Sequence, residues 1–329
     1  HVQAVHPDDN VGINLADELT PLNYYTILSD EEPASVYTNA NQRSFRITQP
    51  LQINMENDSL HMRFYSPVGI KEVTVMAKSP TMDEYVEFVY IDNIPAFADI
   101  KTSIKVLEKG LYRTESGKIQ QLSAEEVNPA SLSFKIACND PYWTKISQIK
   151  AKWYIKFVLN GGNPVTGVPN NNWWGIRPVH CREAVALYLN IGYMCTLEKF
   201  QQRVSTFQGK LLDNNRYPVD TSTLISRLEN LSGFDIGLVY SGNGVAGLGG
   251  GRTWGVYQKS FLYHYENSGG CCSTIFHELG HCLGYSHNST MTYGQWASGC
   301  ADVFYKNNIK DFPVNSHTIL KSRSNPNIY

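Results

Sequence analysis

From about Ser35 to Leu159 the chain alternates apolar and polar positions with a period of two. Leu60, Met62 and Phe64 alternate with His61 and Arg63, and Val73, Val75 and Ala77 alternate with Thr74 and Met76. Ile100, Thr102, Ile104 and Val106 continue the pattern, as do Leu132, Phe134 and Ile136 around Ser133 and Lys135. The clearest run is Ile149, Ala151, Trp153, Ile155, Phe157 and Leu159, with Lys150, Lys152 and Lys156 on the other face. Successive side chains of an extended chain point to opposite faces, so each run predicts a strand with one buried side. Several such strands separated by turn residues predict an antiparallel β-sandwich over residues 35–160. Residues 1–34, polar at Asp8-Asp9-Asn10 and Asp30-Glu31-Glu32-Pro33, are expected to form a loosely held lead-in segment. Asn160-Gly161-Gly162-Asn163-Pro164 reads as a boundary, which assigns residues 161–329 to a second domain.

Beyond the boundary the period lengthens. Residues 179–191 are apolar-rich behind Pro178 and predict a helix. Thr196 is placed to cap a second helix, with Phe200, Val204 and Phe207 on one face. Thr221 is placed to cap a third, with Leu224, Leu228 and Leu231 on one face and Gly233 as its stop. Phe234–Tyr240 predicts a buried strand and Arg252–Tyr265 one or two more. Ser268-Gly269-Gly270 then leads into a helix whose Ile275, Leu279 and Leu283 face the core, and residues 288–329 are expected to form a small C-terminal half. Strands first and mixed elements afterwards give an α+β fold class.

Composition removes several function classes. Hydrophobic residues make up 42% of the 329 positions and charged ones 18%, enough to bury two cores. A net charge of −2 offers no electrostatic footprint for nucleic acid or an anionic membrane surface. No run of 18 apolar residues exists, so no membrane-spanning segment is predicted. His1 is followed by no charged-then-apolar leader, so a signal peptide has been removed or was never present. The seven cysteines form no Cys-x-x-Cys pair, which argues against a structural zinc knuckle. Cys271 and Cys272 could bridge to Cys300 and pin the following helix, or stay as buried thiols; spacing does not choose.

Chemistry concentrates in His277-Glu278-Leu279-Gly280-His281-Cys282-Leu283-Gly284-Tyr285-Ser286-His287, which reads H-E-x-x-H-x-x-G-x-x-H. His277 and His281, four apart on a helix, stack on one face and reach one metal. Glu278 follows the first ligand, where its carboxylate can meet a metal-bound water without ligating. Gly284 lets the backbone leave the helix in a conformation other residues avoid, and the turn returns His287 as a third ligand. Three neutral imidazoles leave a fourth tetrahedral position for water, the mark of a catalytic zinc site (Zn2+) rather than a closed structural one. A second motif, Gly242-Asn243-Gly244-Val245-Ala246-Gly247, fits the dinucleotide pattern G-x-G-x-x-G. Leu248-Gly249-Gly250-Gly251 follows where a helix start is needed, so the glycines are read as a loop or edge strand lying close to another backbone.

The extended histidine motif resembles that of the metzincin zinc metalloendopeptidases, which also carry a methionine-containing turn after the third histidine. Ser289-Thr290-Met291-Thr292-Tyr293 matches that turn, with a shorter spacing from His287, and Asn288 matches no subfamily's characteristic residue. The chain as a whole is also similar in character to secreted bacterial metalloproteinase lipoproteins. The resemblance implies an N-terminal antiparallel β-sandwich followed by a metzincin-like zincin catalytic domain. It implies Met291 as an apolar floor beneath the ligands and Tyr293 beside the metal, hydrogen-bonding an oxyanion. The expected activity is zinc-dependent endopeptidase cleavage of extracellular proteins, with Glu278 as general base. A protein or peptide substrate would add as a strand along Val245–Tyr257, with Trp296 either a pocket wall or a core residue. The expected location is secreted, cell-surface or periplasmic. Two other classes stay open: a binding or adhesion protein with a vestigial metal site, and a zymogen whose N-terminal half blocks the cleft through Cys138-Asn139-Asp140.

Overall fold

In the computed structural model, which describes residues 1–7, 14–16, 23–39, 43–104, 110–266 and 271–316, alternating segments form strands in two separate units. Residues 1–27 and 50–144 make one unit, residues 28–49 and 145–329 the other. In chain order the first elements are strands β1 (Val2–Pro7), β2 (Asn14–Ala16) and β3 (Tyr24–Thr26), helix α1 (Ala34–Tyr37) and strand β4 (Ser44–Arg46). Strands β5 (Leu51–Glu56), β6 (Ser59–Phe64), β7 (Ile70–Lys78), β8 (Val86–Ile94), β9 (Ala98–Ser103), β10 (Leu111–Arg113), β11 (Ile119–Gln121) and β12 (Ser133–Ala137) follow. Next come helix α2 (Pro141–Ile146), strands β13 (Tyr154–Phe157) and β14 (Trp173–Trp174), and helices α3 (Pro178–Thr196), α4 (Glu198–Ser205) and α5 (Thr221–Glu229). Strands β15 (Gly233–Val239), β16 (Gly247–Gly250) and β17 (Thr253–Tyr257) precede helices α6 (Gln258–Tyr263), α7 (Cys271–Cys282) and α8 (Val303–Asn308). The class is α+β.

The first unit holds two larger antiparallel sheets, ordered β12-β7-β8-β1-β2 and β3-β9-β6-β5, and a two-stranded one, β10-β11. Leu60, Met62 and Phe64 of β6 are fully buried beside Val73 and Val75 of β7 in one apolar cluster fed by both sheets. That arrangement is compatible with the expected sandwich. The lead-in expectation changes: β1 pairs with β8 through Val2 opposite Ile91, and β3 pairs with β9, so these strands are held by ladder hydrogen bonds. Asp8-Asp9-Asn10 and Val106 lie outside the described residues.

The second unit is built on one mixed sheet ordered β16-β17-β15-β13-β4, with β14 also pairing with β15. Here the division differs from the expected boundary at residue 160. The run Ile149–Leu159 supplies β13, which pairs in parallel with β15 and antiparallel with β4, so it builds this sheet and not the first unit. Alternation marks a strand with one buried face but carries no record of which sheet the strand joins. β13 and β15 run parallel, and helices α3, α4 and α5 supply the crossover a parallel pair requires. Helix α3 is buried from Pro178 to Cys195, its polar His180, Arg182, Glu183 and Asn190 included.

Three local expectations shift. Asp220, not Thr221, caps α5, its carboxylate accepting from the Ser222 amide at 3.0 Å. Thr196 closes α3, its hydroxyl donating to the Tyr193 carbonyl, and Leu197 occupies the cap of α4. Arg252–Tyr265 divides into strand β17 and helix α6. Trp254 of β17 sits beneath the sheet, its ring 4.7 Å from Phe234 and 4.9 Å from Tyr188, and its Nε1–H donates to the Ile275 carbonyl at 3.1 Å. That bond ties the sheet to α7. Among the described residues no helix is long and apolar enough to cross a membrane.

Candidate metal centre

Helix α7 places His277 and His281 one turn apart, and Gly284 (φ 93°) turns the chain so that His287 joins them. One ring nitrogen from each of the three lies within 4.8 Å of the other two, a group that could hold a metal ion. Nε2 of His281 stands 3.2 Å from Nε2 of His277 and 3.1 Å from Nε2 of His287. The opposite nitrogens explain this spacing. His281 Nδ1–H donates to the Tyr285 carbonyl at 2.7 Å, and His277 Nδ1–H donates to the Thr292 carbonyl. A carbonyl only accepts, so both protons sit on Nδ1 and the neutral Nε2 atoms present lone pairs to one another. Lone pairs at that distance repel unless a cation lies between them. The carbonyls thus act as the outer partners that metal-binding imidazoles normally have.

Electrostatics agree with neutral rings. Burial holds His277 down to about 4 and also lowers His281. Glu278 is 3% exposed, and burial pushes its carboxyl up to about 7. Its Oε1 lies 3.8 Å from His277 Nε2, beside the metal position, and its buried Oε2 has no hydrogen-bond partner. A buried carboxylate oxygen without a partner is a place where a water or a reacting group would complete the hydrogen bonding.

The cleft beside the triad has a volume of about 440 Å³. Gly247 and Gly249 of β16 form one wall, Ser273 and Thr274 of α7 another, and Ala297 and Ser298 a third. Tyr293 also lines it; its ring centroid is 4.4 Å from that of His277 and 5.0 Å from that of His287. Met291 is fully buried, and its carbonyl presses on Gly280 of α7. Trp296 belongs to the core: it is 1% exposed and its Nε1–H donates to the Phe276 carbonyl at 3.2 Å. A strand, β16, follows Gly242–Gly247, as the loop-or-edge reading required. Cys138, Cys181, Cys195, Cys272, Cys282 and Cys300 are free thiols, so no bridge joins Cys272 to Cys300; the Cys271 side chain lies outside the described set. Within the first unit, Cys138 Sγ donates to the Lys71 carbonyl and Asp140 accepts from the Lys71 and Tyr142 amides.

Several supporting residues were not visible in the motif. Asn214 accepts from the Ser286 amide at 2.7 Å and donates to the Gly284 carbonyl, bracing the turn that delivers His287. Thr290 bridges to the Leu212 amide and the Lys210 carbonyl. Arg227 of α5 donates to the Tyr285 hydroxyl at 2.6 Å and to the Leu283 carbonyl, holding the residue whose carbonyl orients His281. Asp213-Asn214-Asn215 does carry a turn signal, and Asp213 accepts from the Asn215 and Tyr217 amides. A turn signal does not name the segment it will face. No protein-family model, curated protein or solved structure matches this chain, so the residues and their geometry carry the functional reading alone.

Proposed function

We propose that the chain is a zinc-dependent endopeptidase of metzincin type, secreted or held at a cell surface and acting on extracellular protein. The observation that carries this reading is the convergence of three imidazole Nε2 atoms beside a buried, unpartnered Glu278 carboxylate. Zn–N bonds of about 2.0–2.1 Å in a tetrahedron set neighbouring nitrogens about 3.3 Å apart. The separations of 3.1 and 3.2 Å from His281 Nε2 to its two neighbours are close to that spacing, and three imidazoles with no thiolate or carboxylate ligand suit zinc. When bound, zinc would supply a Lewis acid that acidifies water and polarises a peptide carbonyl.

The chain's own residues supply the rest. The Glu278 carboxylate accepts the proton of the attacking water and returns it to the departing amine. Tyr293, packed against two ligand rings, offers a phenol for the oxyanion of the tetrahedral intermediate. β16 is an edge strand with one ladder face paired to β17, so its free edge can take an extended peptide as an added strand. Met291 is buried with its carbonyl against Gly280, and the next residue, Thr292, accepts from His277 Nδ1–H.

The test joins metal analysis to a digest of a peptide library. The zinc-loaded protein is expected to bind about one ion and to cut peptides, with a chelator abolishing cleavage. Glu278→Ala should keep the metal and lose activity by several orders of magnitude, because the three ligands stay and the base goes. A wild-type protein that binds zinc and cuts nothing, or an active Glu278→Ala variant, overturns the proposal.

A further inference from the structure

We infer that Gly247 and Gly249 are positioning residues, and that the face of β16 they leave bare is a slot that fixes the Glu278 carboxylate for proton transfer; this rests on Glu278 being the general base. The starting observation is that two glycines stand at i and i+2, on the same face of one short strand. Glycine weakens a strand and is normally kept out of one unless the backbone conformation or a close neighbour demands it. Conformation does not demand it at these two positions. Gly250 and Gly251 have positive φ values of 146° and 55°, whereas Gly247 and Gly249 are not among the residues with positive φ. Space does demand it. A Cβ on Gly247 would come under 3.0 Å from Oε1, Cγ and Cδ of Glu278, a separation real Cβ atoms essentially never show. A Cβ on Gly249 would lie 2.5 Å from Oε2, 2.8 Å from the Glu278 carbonyl oxygen and 3.1 Å from its Cα.

The two glycines therefore bound the same carboxylate, one at each oxygen, while His277 Nε2 stands 3.8 Å from Oε1 on the far side. Only 5% of the Glu278 side chain is exposed, and it is packed where an added methyl would meet it. The two positions differ in what an added methyl meets. At Gly247 all three nearest atoms belong to the Glu278 side chain, so the carboxylate moves and the helix stays. At Gly249 two of the three are helix backbone, so β16 and α7 must separate.

Gly247→Ala is the sharper experiment. The zinc-loaded variant is expected to keep its metal and to lose about 100-fold in kcat with KM little changed, the effect of misplacing a reacting group by roughly 1 Å. Shortening the base relieves the clash, so Glu278→Asp, which lowers kcat in the wild-type background, should raise it in Gly247→Ala. Gly249→Ala should raise KM as well, because the edge that receives substrate moves with the strand. A second cycle needs no activity: in thermal unfolding of the metal-free proteins, Gly247→Ala lowers Tm, and the loss disappears in the Glu278→Ala background, where the methyl has room. Additive Tm changes, or wild-type kcat in Gly247→Ala, overturn the inference and leave the proteolytic reading standing. If the wild-type protein cuts no peptide, that reading falls, while the unfolding cycle still reports whether the slot exists.

Discussion

At pH 8 the Glu278 carboxylate is charged in a place where burial disfavours charge, and the fold bears the cost. Its folded value, raised to about 7 from the ordinary 4.5, sets the pH window. Below pH 4.5 the group is protonated in both folded and unfolded chains, and nothing is lost. Between about 4.5 and 7 the unfolded chain releases the proton while the folded one retains it, so stability falls, and above 7 the loss is complete. Glu278→Gln fills the same slot without ionising. The metal-free Gln variant should therefore be more stable than wild type by about 1–3 kcal/mol at pH 8 and equal to it near pH 4. His277, held down to about 4 by burial, loses stability as pH falls below its ordinary 6.5, but it is common to both proteins and cancels. Urea titrations at the two pH values check this; equal stability at pH 8 would mean that the carboxylate is not desolvated. The candidate site residues were legible because they are local in sequence: helix geometry sets His277 and His281 on one face with Glu278 beside them, and the turn at Gly284 returns His287. Gly280, Gly247 and Gly249 were not, because their meaning lies in what approaches them from another element.

Helix α7 is held on three sides, and the site depends on each hold. Trp254 fastens it to β17 through the Ile275 carbonyl, Trp296 fastens it to the π-helix Gln295–Asp302 through the Phe276 carbonyl, and Gly280 admits the Met291 backbone. The last contact governs a ligand. A Cβ at residue 280 would come under 3.0 Å from the Met291 carbonyl oxygen, displacing the segment whose next residue, Thr292, orients His277. Gly280→Ala should weaken zinc binding roughly 10- to 100-fold, the usual cost of losing an outer partner of a ligand. Competition with a chromophoric chelator measures it, and an unchanged affinity would mean that the Thr292 carbonyl does not set the ring. At this scale α3 was expected from its apolar-rich run and α4, α5 and α7 from apolar spacing, but Phe207, Leu231 and Leu283, expected on their faces, lie beyond the ends of α4, α5 and α7. Cap positions slipped by one residue because Asp220 and Thr221 are both good caps and only the tertiary approach of Gln208, whose Oε1 accepts from the Thr221 amide, separates them.

For the whole molecule the informative residues are those of β13. The alternation from Ile149 to Leu159 was plain, yet period two is the same in every half-buried strand, and the partners of β13 are β4, more than a hundred residues earlier, and β15, about eighty later. A boundary drawn at residue 160 cuts through the sheet that carries α7. A fragment 163–329 would lack Phe45, Ile47, Trp153, Ile155 and Phe157, all 0–1% exposed. At about 1.5–3 kcal/mol for each buried apolar side chain the loss is roughly 8–15 kcal/mol, as large as the whole stability of an ordinary domain. β15 would also lose the ladder partner on one edge, leaving buried backbone groups unpaired. The fragment should therefore be insoluble or molten and bind no zinc. A chain that keeps residues 28–49 and 145–329, with Gln49 joined to Lys145 by a flexible linker, retains every strand of that sheet. The join is feasible because Ile47 N–H donates to the Trp153 carbonyl at 3.2 Å, which sets the two segments side by side. This chain is expected to unfold in one cooperative transition, to bind about one zinc ion and to keep its activity on short peptides. Circular dichroism melts and metal analysis of the two proteins decide it. A folded, zinc-binding 163–329 fragment would show that β4 and β13 are dispensable to the site.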